Sequence, residues 1–243
     1  MSELNEILDL LELAIGRAEG TLDDTALEEA GKLRTRLRVR DHYLEDALTV
    51  AFAGGTGTGK SSLVNAMVGT EAVEAGVLRP TTQSAVAVVP ADLTESIAAL
   101  LDVVGVGETS VEHGPRGRVL VDLPDYDSIE EAHRAIASAV VPNVDVVVWV
   151  TDPEKYADPM VREQFLERML PYEDQFVFVV NKADLIPGDV GPVVEHFRSI
   201  LSAIGFRSAV VISTSARSTA DRPVDVEELG GALATILDTK RAA

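Results

Sequence analysis

The residues Gly54-Gly55-Thr56-Gly57-Thr58-Gly59-Lys60-Ser61 follow the pattern G-x-x-x-x-G-K-[ST] and lie between an apolar run and a helical one. Glycines at these places let backbone N–H groups turn inward around phosphate oxygens, and a helix starting at Lys60 adds the positive end of its dipole. Lys60 would bridge the β- and γ-phosphates of a nucleotide, with Ser62 in the same phosphate-facing run, and the Ser61 hydroxyl would coordinate Mg²⁺. Much further along, Asn181-Lys182-Ala183-Asp184 directly follows another apolar run. Guanine presents N1–H and an exocyclic amine on one edge, and the Asp184 carboxylate can accept from both. Adenine offers no such pair, and a site built for two donors rejects a base that lacks them.

The elements that must hold these motifs alternate in type. Apolar strand runs are expected at Leu48 to Ala53, Ala85 to Val89, Arg118 to Leu123, Val144 to Val150, Phe176 to Val180 and Ala209 to Ile212. Between and after them, helical patterns cover Lys60 to Val68, Glu95 to Val104, a segment opened by Ser128-Ile129-Glu130-Glu131, Arg162 to Leu170, Val193 to Ile204, and a C-terminal helix opened by Asp225-Val226-Glu227-Glu228. Asp92-Leu93-Thr94-Glu95 reads as a cap, and Asp92 to Pro115 is long enough to contain an inserted helix. Val-rich strands separated by crossover helices imply an α/β three-layer sandwich with a mostly parallel sheet of about six strands. In such a sheet, ligands bind beyond the carboxyl ends of the strands, where both motifs fall. The loop Asp152-Pro153-Glu154-Lys155-Tyr156-Ala157-Asp158-Pro159 follows the fourth strand at that edge. It reads either as a proline-punctuated connection or as a contact to a second subunit or a mobile loop.

Ahead of the sheet, Leu4, Ile7, Leu8, Leu11 and Ile15 recur at helical spacing, and a second helix is expected from Thr25-Ala26-Leu27-Glu28 onward. This pair divides the chain into an N-terminal helical segment, residues 1–48, and a domain of residues 49–243; the pair reads either as packing on that domain or as a partner-binding hairpin. The 243 residues can bury one substantial core. With no cysteine, disulfides and thiolate metal sites are excluded, and the composition fits a reducing, cytoplasmic setting. The histidines His42, His113, His133 and His196 show no metal-ligand spacing. A net charge of -19 repels phosphate backbones and anionic lipid, so no direct nucleic-acid binding is expected. No signal peptide and no bilayer-length apolar run is visible. The end at Lys240-Arg241-Ala242-Ala243, just after a helical pattern, leaves room for a longer protein with a membrane link.

Taken in order, GGTGTGKS, Thr81-Thr82, Asp122, NKAD and Thr214-Ser215-Ala216 resemble the translation-factor-related class of P-loop GTPases, nearest to Era-like and dynamin-like members. The resemblance runs from about Thr49 to Ile236 and implies a Ras-like sheet, GTP or GDP with Mg²⁺, two switch loops, and hydrolysis of GTP to GDP and phosphate. It implies that Arg79-Pro80-Thr81-Thr82 is the first switch, with Thr82 favoured over Thr81 as the residue closing on Mg²⁺ and the γ-phosphate. It likewise implies that Asp122 holds Mg²⁺ through water, and that Ser215 and Ala216 border the guanine oxygen. Lys60 and Thr82 are then the catalytic candidates.

The departures from the family pattern also carry expectations. Its D-x-x-G stands here as Asp122-Leu123-Pro124-Asp125, which places a carboxylate near an anionic phosphate. Tyr126 occupies the place of the glutamine that orients attacking water in Ras-type enzymes. Hydrolysis by the isolated domain is therefore expected at about 10⁻⁴ to 10⁻³ per second or below. Gly57 replaces the asparagine of potassium-activated members, so no strong potassium dependence is expected. Thr56 puts a side chain where Ras leaves room for a partner's arginine, which leaves self-association across the nucleotide face open. The competing reading is a guanine-nucleotide-binding interaction module that hydrolyses little or nothing.

Overall fold

Runs such as Val146–Thr151 and Phe176–Val180 have no polar face, so both sides of their sheet must be covered. The computed structural model of the chain describes residues 3–18, 47–74, 84–91, 93–111, 117–125, 129–217 and 224–242, together with residues 23, 27, 30 and 31. Its strands are β1 (Leu48–Gly54), β2 (Ala85–Val89), β3 (Val106–Val111), β4 (Arg118–Asp122), β5 (Val146–Thr151), β6 (Phe176–Val180) and β7 (Val210–Ser213). They form one seven-stranded sheet in the order β3-β2-β4-β1-β5-β6-β7. Every pairing is parallel except that of β2 with β4. The expected Ras-like α/β sandwich is present, with one strand more than the sequence pattern suggested.

That extra strand is β3, inside the Asp92 to Pro115 stretch that read as a helical insertion. Its sequence, Val-Gly-Glu-Thr-Ser-Val, has no continuous apolar run, because it lies at the sheet edge and pairs on one side only. The helix before it, α3 (Thr94–Val104), crosses over to bring β3 parallel to β2. Its N-cap is Leu93, with no side-chain cap bond, rather than Asp92, which lies outside the described residues.

Helices cover both faces. The helices α2 (Lys60–Val68) and α6 (Glu227–Ala242) bury Leu63, Val64, Leu229, Leu233 and Leu237 against Val50, Phe52, Val148 and Val179. On the other face lie α3, α4 (Ile129–Ala135), α5 (Gly191–Ile204) and a helical run of four pieces, Pro159–Val161, Arg162–Leu166, Glu167–Met169 and Leu170–Gln175. Alternation along β1 divides its side chains, with Ala51 and Ala53 facing one cluster and Leu48, Val50 and Phe52 the other. Phe178 meets Phe206 and Phe197 edge-to-face at centroid distances of 5.1 and 5.8 Å. Such pairs are worth about 0.5–1.5 kcal/mol each beyond area burial. The Phe197 pair pins α5 to β6, the strand that ends just before Asn181, and Phe206 beyond α5 adds to it.

At the opposite end of the sheet, Asp145 accepts from Thr49 N at 2.8 Å and from Lys240 Nζ at 2.9 Å, tying α6 to the start of β1. The first N-terminal helix is α1 (Glu3–Ala18), on which Leu10 and Leu13 are exposed. The second expected N-terminal helix and the Ser128 cap lie largely outside the described residues. Among the described residues no helix is long and apolar enough to cross a membrane.

Candidate functional site

Strand register gathers the ends that matter. Phe52 lies opposite Asp122, Gly54 opposite Val150, Thr151 opposite Val180, and Val180 opposite Ser213. Residues just past these carboxyl ends share one edge of the sheet, where a parallel α/β sheet offers a crevice.

The loop after β1 reaches α2 through two positions that only glycine fits. A Cβ on Gly54, at φ 145°, would stand 2.0 Å from Val150 O, and one on Gly59, at φ 92°, would stand 2.5 Å from Asn181 Nδ2. Between them Thr58 folds its hydroxyl back onto Gly55 O at 2.8 Å. The first turn of α2 carries no acidic residue, so nothing on the helix neutralises its amino end. Lys60 is only 5% exposed, and a buried ammonium needs partners. Its Nζ donates to Gly54 O at 3.1 Å and to Asp125 Oδ1 at 2.5 Å.

Beside it, the Ser61 hydroxyl donates to Asp122 Oδ2 at 2.6 Å. Asp122 is fully buried, and its Oδ1 has no hydrogen-bond partner among the described residues. Burial, the largest cause, pushes the Asp122 carboxyl up to about 6; the Ser61 bond and the Lys60 charge oppose the rise, and the Asp125 charge adds to it. A desolvated carboxylate with a spare oxygen next to a hydroxyl fits a hydrated Mg²⁺, whose waters would donate to that oxygen. Among the described residues no cluster of three or more His, Asp or Glu side chains could cage a metal, so such an ion would need phosphate oxygens as well.

The base motif is wired directly into this loop. Asn181, 1% exposed, donates from Nδ2 to Thr58 O at 2.9 Å. Its Oδ1 accepts from Thr214 Oγ1 at 3.1 Å and from Ala216 N at 3.3 Å. One side chain thus joins the ends of β1, β6 and β7. Lys182 has φ 61°, unique among the described non-glycine residues, and its Nζ reaches Asp152 Oδ2 at 2.8 Å. Asp184 is half-buried in the short helical turn Ala183–Leu185. Ser215 is held by reciprocal backbone bonds with Asp225 at 2.9 Å, and Arg217 reaches Ser62 Oγ at 3.5 Å.

Asp152, Lys155 and Thr214, which the sequence marked only as members of the loop after the fourth strand and of the Thr214-Ser215-Ala216 run, are individual supports of the site. Asp152 sits just past β5, at the sheet edge where the sequence placed its loop, but its bond to Lys182 had no sequence signal. Lys155 Nζ donates to Thr56 O at 2.7 Å, so the Asp152–Pro159 loop contacts the phosphate loop of its own chain. Gly55, Thr56, Gly57, Thr58, Ser61 and Asp122 therefore lie together, with Asn181, Lys182, Ser215 and Ala216 beside them. Arg79, Thr81, Thr82 and Tyr126 lie outside the described residues.

Residues 49–182 match the family described as 50S ribosome-binding GTPase. Over 219 residues the chain is 32% identical to the tRNA modification GTPase MnmE of Pseudomonas syringae pv. tomato, covering 85% of this chain and 39% of that protein. The curated relatives it matches are all much longer, the chain spanning between 34% and 39% of their lengths. In fold it is similar to a chain of an oligomerised bacterial dynamin pair, with a TM-score of 0.56 at 15% identity over 98% of this chain and 44% of that one. It is also similar to Era in complex with MgGDPNP and nucleotides 1506-1542 of 16S ribosomal RNA, with a TM-score of 0.51 at 19% identity over 79% of this chain and 56% of that one. At those identities the two solved structures speak to the fold alone.

Proposed function

The chain belongs to the family described as 50S ribosome-binding GTPase, and from that premise we propose a switch that binds GTP and hydrolyses it to GDP and phosphate. The observation that carries the site assignment is Asn181, whose amide bonds Thr58 O on the phosphate loop while its oxygen holds the Ala216 segment. A base motif and a phosphate cradle fastened to each other at 2.9 Å suit one ligand with an anionic tail and a purine head. Backbone amides from Gly55 to Ser61 wrap the phosphates, Lys60 faces the β- and γ-oxygens, and Asp184 accepts from guanine. Ser61 and Asp122 would hold Mg²⁺, with Thr82 added from the first switch, and the ion's charge would screen the phosphates. Lys60 and Thr82 are the residues assigned to the chemistry. Ser62, Lys182 and Ser215 support the two ends.

The isolated domain turns over slowly, at about 10⁻³ per second or less, because Tyr126 offers no amide to orient water. Assembly across the nucleotide face, or a membrane-linked partner reached through a further region, supplies the missing stimulation. The division into residues 1–48 and 49–243 stays part of this proposal, with Leu48 already the first residue of β1. A second reading, binding with negligible hydrolysis, draws on the Asp125 carboxylate at Lys60.

Titration with GTP, GDP and ATP in Mg²⁺ is expected to show a guanine preference that Asp184→Ala abolishes; equal affinity for ATP and GTP would overturn the base assignment. Phosphate release per subunit, with Lys60→Ala as the blank, is expected to rise with protein concentration. A flat rate near zero would favour the binding module.

A further inference from the structure

Two side-chain rungs close the end of β4 onto the first turn of α2. Ser61 bonds Asp122, and Lys60 bonds Asp125 at 2.5 Å. The second rung cannot exist where the resembled motif has glycine. It is largely out of water, with Lys60 5% and Asp125 20% exposed, so the pairing is only weakly screened.

An ammonium has three N–H donors and no acceptor. Gly54 O engages one donor of Lys60 at 3.1 Å and Asp125 engages the second, leaving a single donor among the described residues. A nucleoside diphosphate asks for one, toward a β-oxygen. A triphosphate asks for two, toward a β- and a γ-oxygen. The diphosphate therefore fits with Asp125 in place. The triphosphate must push the carboxylate off Lys60, and like-charge repulsion between the γ-phosphate and Asp125 drives the two apart.

Building on the nucleotide reading above, we propose that Asp125 is a specificity-determining residue that biases the site toward guanosine diphosphate and registers the γ-phosphate by being displaced from Lys60. Pro124 and Asp125 are then fastened to the site when the γ-phosphate is absent and freed when it arrives. A glycine amide donating to the γ-phosphate would work in the opposite sense.

Affinities of the full chain for GDP and for a non-hydrolysable GTP analogue, measured with Mg²⁺, test this in the parent, Asp125→Asn and Asp125→Gly. Asparagine keeps the shape without the charge; glycine restores the resembled motif. Both variants are expected to bind the analogue about tenfold more tightly and to change GDP affinity by less than about threefold. Equal tightening toward both nucleotides, no change toward either, or weaker analogue binding in Asp125→Asn would overturn the inference while leaving the nucleotide reading intact. Binding of neither nucleotide by the parent or either variant would overturn both.

Discussion

Asn181→Ala is expected to destabilise the nucleotide-free protein as well as weaken its ligand binding, which separates a structural tie from a simple base contact. The amide of Asn181 serves Thr58 O, Thr214 Oγ1 and Ala216 N. Thr58 and Thr214 are each 1% exposed, so water cannot replace the lost partner without opening the site. A buried polar group stranded in this way costs about 1–3 kcal/mol. The Thr214 hydroxyl can rotate, so the cost falls on Thr58 O and, in part, on the half-buried Ala216 N, together about 3 kcal/mol. For a chain of this size each kcal/mol lowers the melting temperature by about 2–4 °C, so the total shift is about 6–12 °C. Differential scanning fluorimetry without nucleotide, paired with GDP titration, measures both effects. A melting temperature within about 2 °C of the parent, with GDP binding lost, would refute the tie and leave Asn181 as a ligand contact only. A lowered melting temperature with unchanged GDP binding would show that the two motifs are not coupled.

The raised carboxyl of Asp122 predicts a pH effect in the metal-free, nucleotide-free protein. Its folded value of about 6 exceeds the ordinary 3.8, so the folded state holds this proton over a range where the unfolded chain has lost it. Stability from this group is therefore full at low pH and falls as pH rises through that window. Between about pH 5 and about pH 7.5 the loss is about 1 kcal/mol relative to Asp122→Asn, read by urea unfolding in EDTA. A parallel pH profile for the two proteins would contradict it. Gly54→Ala is expected to cost more than about 3 kcal/mol or to prevent folding, because its Cβ would stand 2.0 Å from a backbone oxygen. Gly231→Ala, on α6 with open space around it, is expected to gain about 0.5–1 kcal/mol. The same chemical change with opposite sign tests the packing directly, and two similar thermal shifts would defeat it.

Much of the architecture was legible because burial on both faces leaves a plain mark on sequence. Ala85–Val89 and Phe176–Val180 have the strand bounds expected from their apolar runs, and Lys60–Val68 is the helix expected after the glycines. The edge strand Val106–Val111 left no such mark, since a strand with one neighbour needs no continuous apolar run. Periodicity also could not show that the helix ahead of β6 widens into π geometry at Arg162–Leu166, because five residues are too few to reveal a change of helical period.

From residue types and order alone came the two motifs, their places after strands, and the expectation that they meet at one edge of a parallel sheet. That follows from local chemistry, since glycine spacing, a lysine and a helix start are all neighbours in the chain. Which groups then touch across separations of 65 and 123 residues was decided only by strand order and register. Asn181 reaches Thr58 because β6, β5 and β1 lie side by side in the sheet. Asp125 reaches Lys60 because β4 pairs with β1 and ends level with Phe52. No spacing rule contains those contacts, because they depend on distances between strands that the chain connects only through long crossovers.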